Sequence, residues 1–376
     1  MIPAAIFIFT LYTVLLLVYI YGYNKLKEVS YTESVFGTRF SVIVPFRNEQ
    51  ENLPNLLKSI ANLDYDPNSF EVFLVDDQSA DHSVEVIRDF KAGHPQINLD
   101  VIDHVHKPGS SAKKSAIETA IKKSSFDWIL TTDSDCVLPK SWLKSFHDAI
   151  QQNDPVMLAG PVENAFISPG FLHYFQNYEF ISLQAVTMGS FGIKEPFMCN
   201  GANLCYKKSV FYEVGAFDGN REIAGGDDLF LLEKMLNAFP TKVLFNKSQQ
   251  AIVQTQTSAT WQSLIQQRVR WASKTSSYKN LSGKITGLIV FLSNLMLVLL
   301  FFLSLIKPPY FVFLFEIALF KLVLDLLLIL PVLRFFRQKF HLPYYVLSSL
   351  CYPFVHVYVG FRSLGGFTWK GRALKK

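Results

Sequence analysis

From Phe40 to about Phe146 the chain alternates short apolar runs with stretches whose apolar residues recur at helical spacing. Phe40 to Pro45 predicts a strand. Leu53, Leu56, Leu57 and Ile60 then share one helical face, and Pro54 falls in the first turn, where its missing N–H costs nothing. Glu71 to Val75 predicts a second strand and Val84 to Phe90 a second helix. A third strand over about 97–102, a helix from Ala112 to Lys123 and a fourth strand from Asp127 to Thr132 complete the series. Such alternation predicts an α/β half-domain with a doubly wound sheet. Ligands of these sheets bind at the carboxyl ends of the strands, which is where Pro45, Asp77 and the pair Asp133/Asp135 fall.

Longer apolar runs flank this region. Residues Ile2 to Tyr23 are almost uncharged and long enough to cross a hydrocarbon core of roughly 30 Å. A cleaved leader would carry its basic residues ahead of the apolar run. Here Lys25 and Lys27 follow it, which predicts a retained anchor over residues 1–24 with the next domain in the cytosol. Ile285 to Ile306 and Tyr310 to Leu333 predict two further spans, separated by Lys307-Pro308-Pro309. Leu342 to Val359, interrupted by Pro353 and His356, is a third candidate. The expected organisation is an anchor at 1–24, a cytosolic domain at 38–275, a membrane region at 285–364 and a basic tail at 365–376. The second of these spans carries Glu316, Lys321 and Asp325, charges that are costly at that depth unless paired or facing a cavity. Lys321 and Asp325 are one helical turn apart, which suits either a self-neutralising pair or a contact to a lipid acceptor. With the α/β domain inside, Arg334, Arg337 and Lys339 also fall inside, but a full third crossing would carry Lys370, Arg372, Lys375 and Lys376 outside. A re-entrant or interfacial Leu342–Val359 removes that conflict and predicts a C-terminus shielded from external protease.

Composition narrows the class. Half of the 376 residues are hydrophobic and the net charge is +5; the mean hydropathy of +0.21 exceeds that of an ordinary soluble enzyme. Lys and Arg cluster beside apolar segments rather than along an aromatic-interleaved face, so a membrane surface is the expected partner and nucleic acid is not. Cys136, Cys199, Cys205 and Cys351 are scattered, without metal-finger spacing, as in a reducing compartment. The histidines show no ligand spacing, and His104 and His106 read as solvated. Phe166, Phe171, Tyr174, Phe175, Tyr178 and Phe180 form an aromatic cluster that reads as packing, with an acceptor groove as the other possibility. No Gly-rich phosphate loop follows any strand, which excludes the usual cradles for dinucleotides and ATP.

Chemistry concentrates in Ile129 to Cys136, where an apolar run ends in Asp133-Ser134-Asp135. Two carboxylates beyond a strand make a hard, anionic, oxygen-only site, suited to Mg²⁺ or Mn²⁺ rather than zinc or copper. Such ions complete their shell with substrate phosphates. The remaining phosphate charge requires cations, which Lys113 or Lys114 can supply.

Seven segments in order carry a resemblance: Ser41 to Glu49, Val75 to Ser79, Lys113 to Ile117, Asp133-Ser134-Asp135, Asn200-Gly201-Ala202-Asn203, Gly226 to Leu229, and Gln267-Arg268-Val269-Arg270-Trp271. Over residues from about 40 to 272 the chain resembles the family-2 glycosyltransferases, inverting enzymes that use nucleotide-diphospho sugars. The resemblance implies a GT-A, Rossmann-like fold with a mixed sheet, here flanked by N- and C-terminal transmembrane helices. It implies that Pro45 and Asp77 lie against the base and ribose and that Glu49 closes the same pocket. Lys113 leans towards the donor, and Asp135, helped by Asp133, holds the metal on the diphosphate. Gln267, Arg270 and Trp271 match the Gln-x-x-Arg-Trp signature, with Arg near the diphosphate and Trp at the acceptor; an interfacial anchor helix is the other reading of the same residues. The chain has Ala112-Lys113 where the family usually has Gly-Lys, which leaves Lys113 and Lys114 both open. It has Asp227-Asp228 where Glu-Asp is common, which keeps both acids. Inverting transfer needs a carboxylate to accept the acceptor's proton, and Asp228, at the start of a helix, is the expected base. The expectation is a membrane-anchored, Mg²⁺- or Mn²⁺-dependent enzyme of the inner or plasma membrane, moving a sugar to a lipid-linked or glycan acceptor. A processive polysaccharide synthase and a non-catalytic scaffold are the alternatives. Neither the sugar nor the oligomeric state is encoded in a motif.

Overall fold

The computed structural model of the chain describes residues 1–30, 37–105, 111–166, 169–274, 279–365, 367–369 and 372–374. Two compact units emerge, one of Met1–Leu26, Phe166–Phe197 and Thr257–Lys376, the other of Lys27–Ala165 and Met198–Gln256. The contiguous domain expected at 38–275 is thereby interrupted: residues 166–197 and 257–274 group with the helical unit.

In chain order, helix α1 (Ile2–Lys25) precedes β1 (Phe40–Phe46), α2 (Leu53–Ala61), β2 (Phe70–Asp76), α3 (Ser83–Gly93), β3 (Leu99–Asp103), α4 (Ala112–Lys123) and β4 (Trp128–Thr131). Then come β5 (Cys136–Val137), α5 (Trp142–Asn153), β6 (Met157–Ala159), β7 (Val162–Asn164) and α6 (Phe171–Gly192). Next are β8 (Leu204–Lys207), α7 (Lys208–Glu213), α8 (Asp227–Ala238), β9 (Val243–Phe245) and β10 (Val253–Thr255). Helices α9 (Trp261–Ala272), α10 (Leu281–Ile306), α11 (Pro309–Phe335) and α12 (Leu342–Arg362) follow, before two short antiparallel strands, Phe367–Trp369 and Arg372–Leu374. The expected strands and helices between residues 40 and 132 are all present, with no end shifted by more than three residues.

In the α/β unit a seven-stranded sheet runs in the order β3-β2-β1-β4-β8-β6-β9. The first four strands are parallel, and β8 is antiparallel to both neighbours. Strand β2 is buried at every position, as expected of a strand covered on both faces. Helix α4 packs on β1 and β2 and buries Ala116, Ile117, Ala120 and Ile121, two pairs spaced by four residues. Because β1, β2 and β4 are parallel, residues just beyond Phe46, Asp76 and Thr131 share one edge. Since β8 runs the other way, its first residue, Leu204, pairs with Thr131. That brings Asn200 to Asn203 to the same edge. A small second sheet, β5-β10-β7, sets Thr255 opposite Cys136.

The helical unit contains α1, α6 and α9 to α12. Helices α1 and α10 are long and apolar enough to cross a membrane by length and composition. Helix α11 matches the expected second span in extent and carries Glu316, Lys321 and Asp325 along it. Lys321 Nζ lies 2.6 Å from Asp325 Oδ2, and the Tyr12 hydroxyl donates to Asp325 Oδ1 at 2.6 Å. The ammonium sits over the rings of Tyr12 and Tyr352. Of the two readings open for this pair, the structure shows the one satisfied within the protein. Helix α12 runs unbroken through Pro353; His106, Lys370, Lys375 and Lys376 lie outside the described residues. Helices α1 and α6 meet backbone to backbone. A Cβ placed on Gly192 would lie 1.8 Å from the Gly22 carbonyl oxygen, and one on Gly22 would lie 2.1 Å from that of Gly189. Only glycine permits this approach. The aromatic cluster follows α6: Tyr174, Phe175, Tyr178 and Phe180 are buried, Tyr174 stacks on Tyr344, and Phe175 meets Trp261. Phe166 is exposed.

Candidate active site

Two loops at the sheet edge are laced together. Beyond β1 the chain turns through Asn48 and beyond β2 through Gln78, both at positive φ, which Asn tolerates better than most residues. Asn48 N–H donates to Ser79 Oγ at 3.0 Å, and Asn48 Oδ1 accepts from Ala80 N at 2.8 Å. Glu49 N donates to Ser83 Oγ at 2.8 Å and Gln50 N to Asp81 Oδ2 at 3.1 Å. Asp77 is buried in this seam, its N–H donating to the Phe46 carbonyl at 2.9 Å. Arg47 Nη1 donates to the Asp77 carbonyl at 3.0 Å and stands 3.6 Å from Asp77 Oδ2. Arg47, which the motif contains but no sequence rule singles out, is the basic partner of this acid. Pro45 sits in β1 opposite Val75.

Beyond β4 a tight turn is closed by the Cys136 N–H donating to the Asp133 carbonyl at 3.2 Å. Lys113, the second residue of α4, reaches across with its ammonium 2.8 Å from Asp133 Oδ1 and 3.3 Å from Asp227 Oδ2. Burial alone would lower the pKa of Lys113, but the charges of Asp133 and then Asp227 outweigh it and hold the ammonium above its usual range. The pKa of Asp135 is also pushed up, to about 6, but here this disfavours the charged form, first through burial and then through the charges of Asp133 and Glu49. Glu49 therefore belongs to the same electrostatic cluster. The adjacent Lys114 turns elsewhere: its Nζ donates to the carbonyls of Asn220 at 2.6 Å and Ile223 at 3.0 Å and lies 4.5 Å from the Phe230 ring centroid. Successive helical residues point about 100° apart. Of the two lysines left open, Lys113 faces the carboxylates, and Lys114 pins the loop leading to α8.

Helix α8 starts behind Gly226, whose positive φ suits glycine. Asp228 Oδ1 accepts from the Leu229 N–H at 2.8 Å and Oδ2 from the Gly201 N–H at 3.1 Å. Gly201 is placed so that a Cβ would lie 3.2 Å from Asp227 Oδ2 and 3.6 Å from Lys113 Nζ. Its segment is fixed from below: Thr131 Oγ1 donates to the Gly201 carbonyl at 2.8 Å. Asn203, fully buried, donates to the carbonyls of Pro161 and Ala251 and accepts from Trp142 Nε1. Asp227, Gly201 and Asn203 lie within quoted motifs but were not expected as site residues. The signal for Gly201 and Asn203 is the Asn200-Gly201 pair, a turn-forming dipeptide.

Among the described residues no three His, Cys, Asp or Glu side chains are arranged to hold an ion by themselves. Asp133 and Asp135 fit Mg²⁺ or Mn²⁺ in the way those ions are commonly held, through one or two carboxylates with the remaining ligands from phosphate and water. The charges of Asp133 and Glu49, which with burial hold the Asp135 pKa up, suit a cation there.

Gln267, Arg270 and Trp271 lie on α9 in the helical unit, with Thr260 and Ser263 forming a capping box at its start. Within that unit Arg268 is the organising residue. It is buried, donates to Glu179 Oε2 at 2.8 Å, contacts Gln267 Oε1, and has its guanidinium 4.3 Å from the Trp271 ring centroid.

Residues 41–215 match the sequence profile described as glycosyl transferase family 2. Among characterised proteins the chain is similar to glycosyltransferase AglE of Haloferax volcanii, 28% identical over 188 residues, covering 50% of this chain and 58% of the relative. It is also similar to the poly-β-1,6-N-acetyl-D-glucosamine synthase of Staphylococcus epidermidis, 23% identical over 238 residues, covering 62% and 53%. The chain thus spans about half the length of these relatives. A solved mannosyltransferase from Pyrobaculum calidifontis, in complex with GDP-Man and Mn²⁺, superposes with a TM-score of 0.54 at 15% identity, over 96% of this chain and 95% of that one. That likeness bears on the fold, which is the GT-A fold with a mixed sheet. The profile match spans Asp77, Lys113, Asp133 and Asp135, so that residues 41–215 form a glycosyl transferase family 2 segment.

Proposed function

We propose that this chain is a metal-dependent, inverting glycosyltransferase that moves a sugar from a nucleotide-diphospho donor to a lipid-linked or other membrane-associated acceptor. The observation that carries the reading is the gathering of Asp133, Asp135, Asp227 and Asp228 around the Lys113 ammonium, with Glu49 acting on Asp135, at the carboxyl edge of the sheet. In this reading Pro45 and Asp77 contact the nucleoside, with Arg47 holding Asp77 in place and Glu49 bounding the same pocket. Asp133 and Asp135 hold Mg²⁺ or Mn²⁺, which when bound stabilises the leaving diphosphate. Lys113 supplies a further positive charge to that diphosphate. Asp228 takes the proton of the acceptor hydroxyl as its oxygen attacks the anomeric carbon; the N–H groups of Gly201 and Leu229 fix the carboxylate for that role.

Two helices of sufficient length and apolarity support a membrane location. The reading extends this to a multi-pass protein of the inner or plasma membrane with the α/β unit in the cytosol. Similarity to a named polysaccharide synthase favours processive transfer as a second reading.

The test is transfer or donor hydrolysis assayed over a panel of UDP- and GDP-sugars with Mg²⁺ or Mn²⁺, in wild type and Asp228→Asn. A positioned base contributes about 10²- to 10⁴-fold, so Asp228→Asn is expected to lose turnover by that factor while binding donor normally. Undiminished turnover would remove Asp228 from its role, and product length separates single transfer from processive synthesis.

A further inference from the structure

We propose that Lys113 is a built-in competitor for the divalent cation, occupying Asp133 until the donor diphosphate draws it away, so that metal and nucleotide bind tightly only together. This rests on the reading that Asp133 and Asp135 hold the metal. The ammonium is 2.8 Å from Asp133 Oδ1, the usual distance of a charge-assisted hydrogen bond. A metal arriving alone must share that carboxylate with a positive charge already in contact with it, or displace the charge.

Displacement is opposed on the inner side. Asp227, with 9% of its side chain exposed, holds the same ammonium at 3.3 Å, and the Gly201 backbone lies against both. On the outer side the Lys113 and Asp133 side chains are 32% and 35% exposed. A diphosphate approaching from solvent offers the ammonium new anionic oxygens on that side. As Lys113 turns to them, Asp133 joins Asp135 as a metal ligand, and the phosphate charge offsets the repulsion between metal and lysine. Metal and nucleotide then raise each other's affinity by one common factor, as linkage requires. The lysine also prevents five crowded carboxylates from capturing a cation in the absence of substrate.

The experiment is Mn²⁺ binding to the full chain in detergent, read by the electron paramagnetic resonance signal of free Mn²⁺, alone and with saturating UDP, GDP or pyrophosphate. The wild type is expected to bind Mn²⁺ weakly alone and at least tenfold more tightly with at least one of the three. Lys113→Met is expected to bind Mn²⁺ alone at least tenfold more tightly than wild type, with the enhancement by the anion reduced towards unity. Lys113→Arg keeps the charge on Asp133 and is expected to keep weak binding alone, which provides a second reading if the Met variant does not fold. An affinity for Mn²⁺ alone that is unchanged or weaker in a folded Lys113→Met, or tightened equally in Lys113→Arg, would overturn the competitor role. Full Mn²⁺ binding by Asp133→Asn, with and without the anions, would instead overturn the metal-site reading beneath it.

Discussion

Lys113, half-buried, and Lys321, buried, are both ammonium groups next to aspartates, and they illustrate opposite arrangements. In the helical unit Lys321 meets one carboxylate, Asp325, whose other oxygen accepts from Tyr12, and two aromatic rings complete the cage. Charge is balanced there and the geometry is closed. In the α/β unit Lys113 meets Asp133 and Asp227, with Asp228, Asp135 and Glu49 in electrostatic contact with the cluster. Charge is unbalanced and the edge is open to solvent. A balanced buried pair holds structure together; an excess of carboxylates at a sheet edge is stable only until something cationic or phosphorylated can use it.

The comparison can be broken most severely from the helical side. Asp325→Leu leaves Lys321 enclosed without its counter-ion, which costs about 3–5 kcal/mol. The expected result is a large drop in thermal midpoint in detergent, mostly restored by adding Lys321→Met; an unchanged midpoint for the single variant would place the lysine in contact with water or lipid headgroups instead.

A smaller effect comes from the α/β side. Mn²⁺ with nucleotide at about 100 times its dissociation constant is expected to stabilise the wild type by about 2.7 kcal/mol, seen as a rise in thermal midpoint. Asp135→Asn should abolish that rise without lowering the starting midpoint, because it removes a crowded charge. Asp325→Leu should keep the rise, measured from its own lower baseline. Loss in both variants would mean that the two clusters are not independent.

The smallest effect sharpens the comparison through pH. His147 in the α/β unit is buried, and burial, outweighing the nearby Asp148, lowers its pKa; its Nδ1 lies 2.8 Å from Thr38 Oγ1. A histidine whose folded pKa is depressed binds more protons when unfolded. Its contribution is therefore intact above the unfolded value near 6.5 and is lost as pH falls below it. His147→Gln should lessen the fall in thermal midpoint between pH 7 and pH 5 slightly; an identical fall in both proteins would show that this ring does not titrate with unfolding.

How much of this was legible depended on whether the signal was local. The strands and helices from residue 40 to 132 follow from spacing and turn residues, and the parallel order then places Asp77, Asp133 and Asp135 at one edge. Helix α6 was not read as a helix because buried residues surround it, with Gln176, Asn177 and Gln184 among its aromatics. It therefore shows no single apolar face. Its packing depends on Gly189 and Gly192 meeting Gly22, far away in the chain. Arg268 was passed over for a related reason, since its partner Glu179 lies on that same helix.

By itself, then, the amino-acid order determined the α/β alternation, the apolar helices at both ends and the acidic and basic residue types that gather at the sheet edge, because periodicity, turn preference and charge are properties of neighbours. Only the tertiary structure decided which of two adjacent lysines faces the carboxylates and that Asp227 shares the ammonium with Asp133. It alone closed the Lys321 cage and grouped residues 166–197 with the helices. Those outcomes turn on contacts between distant segments, where one helical step of about 100° or a missing Cβ settles the result.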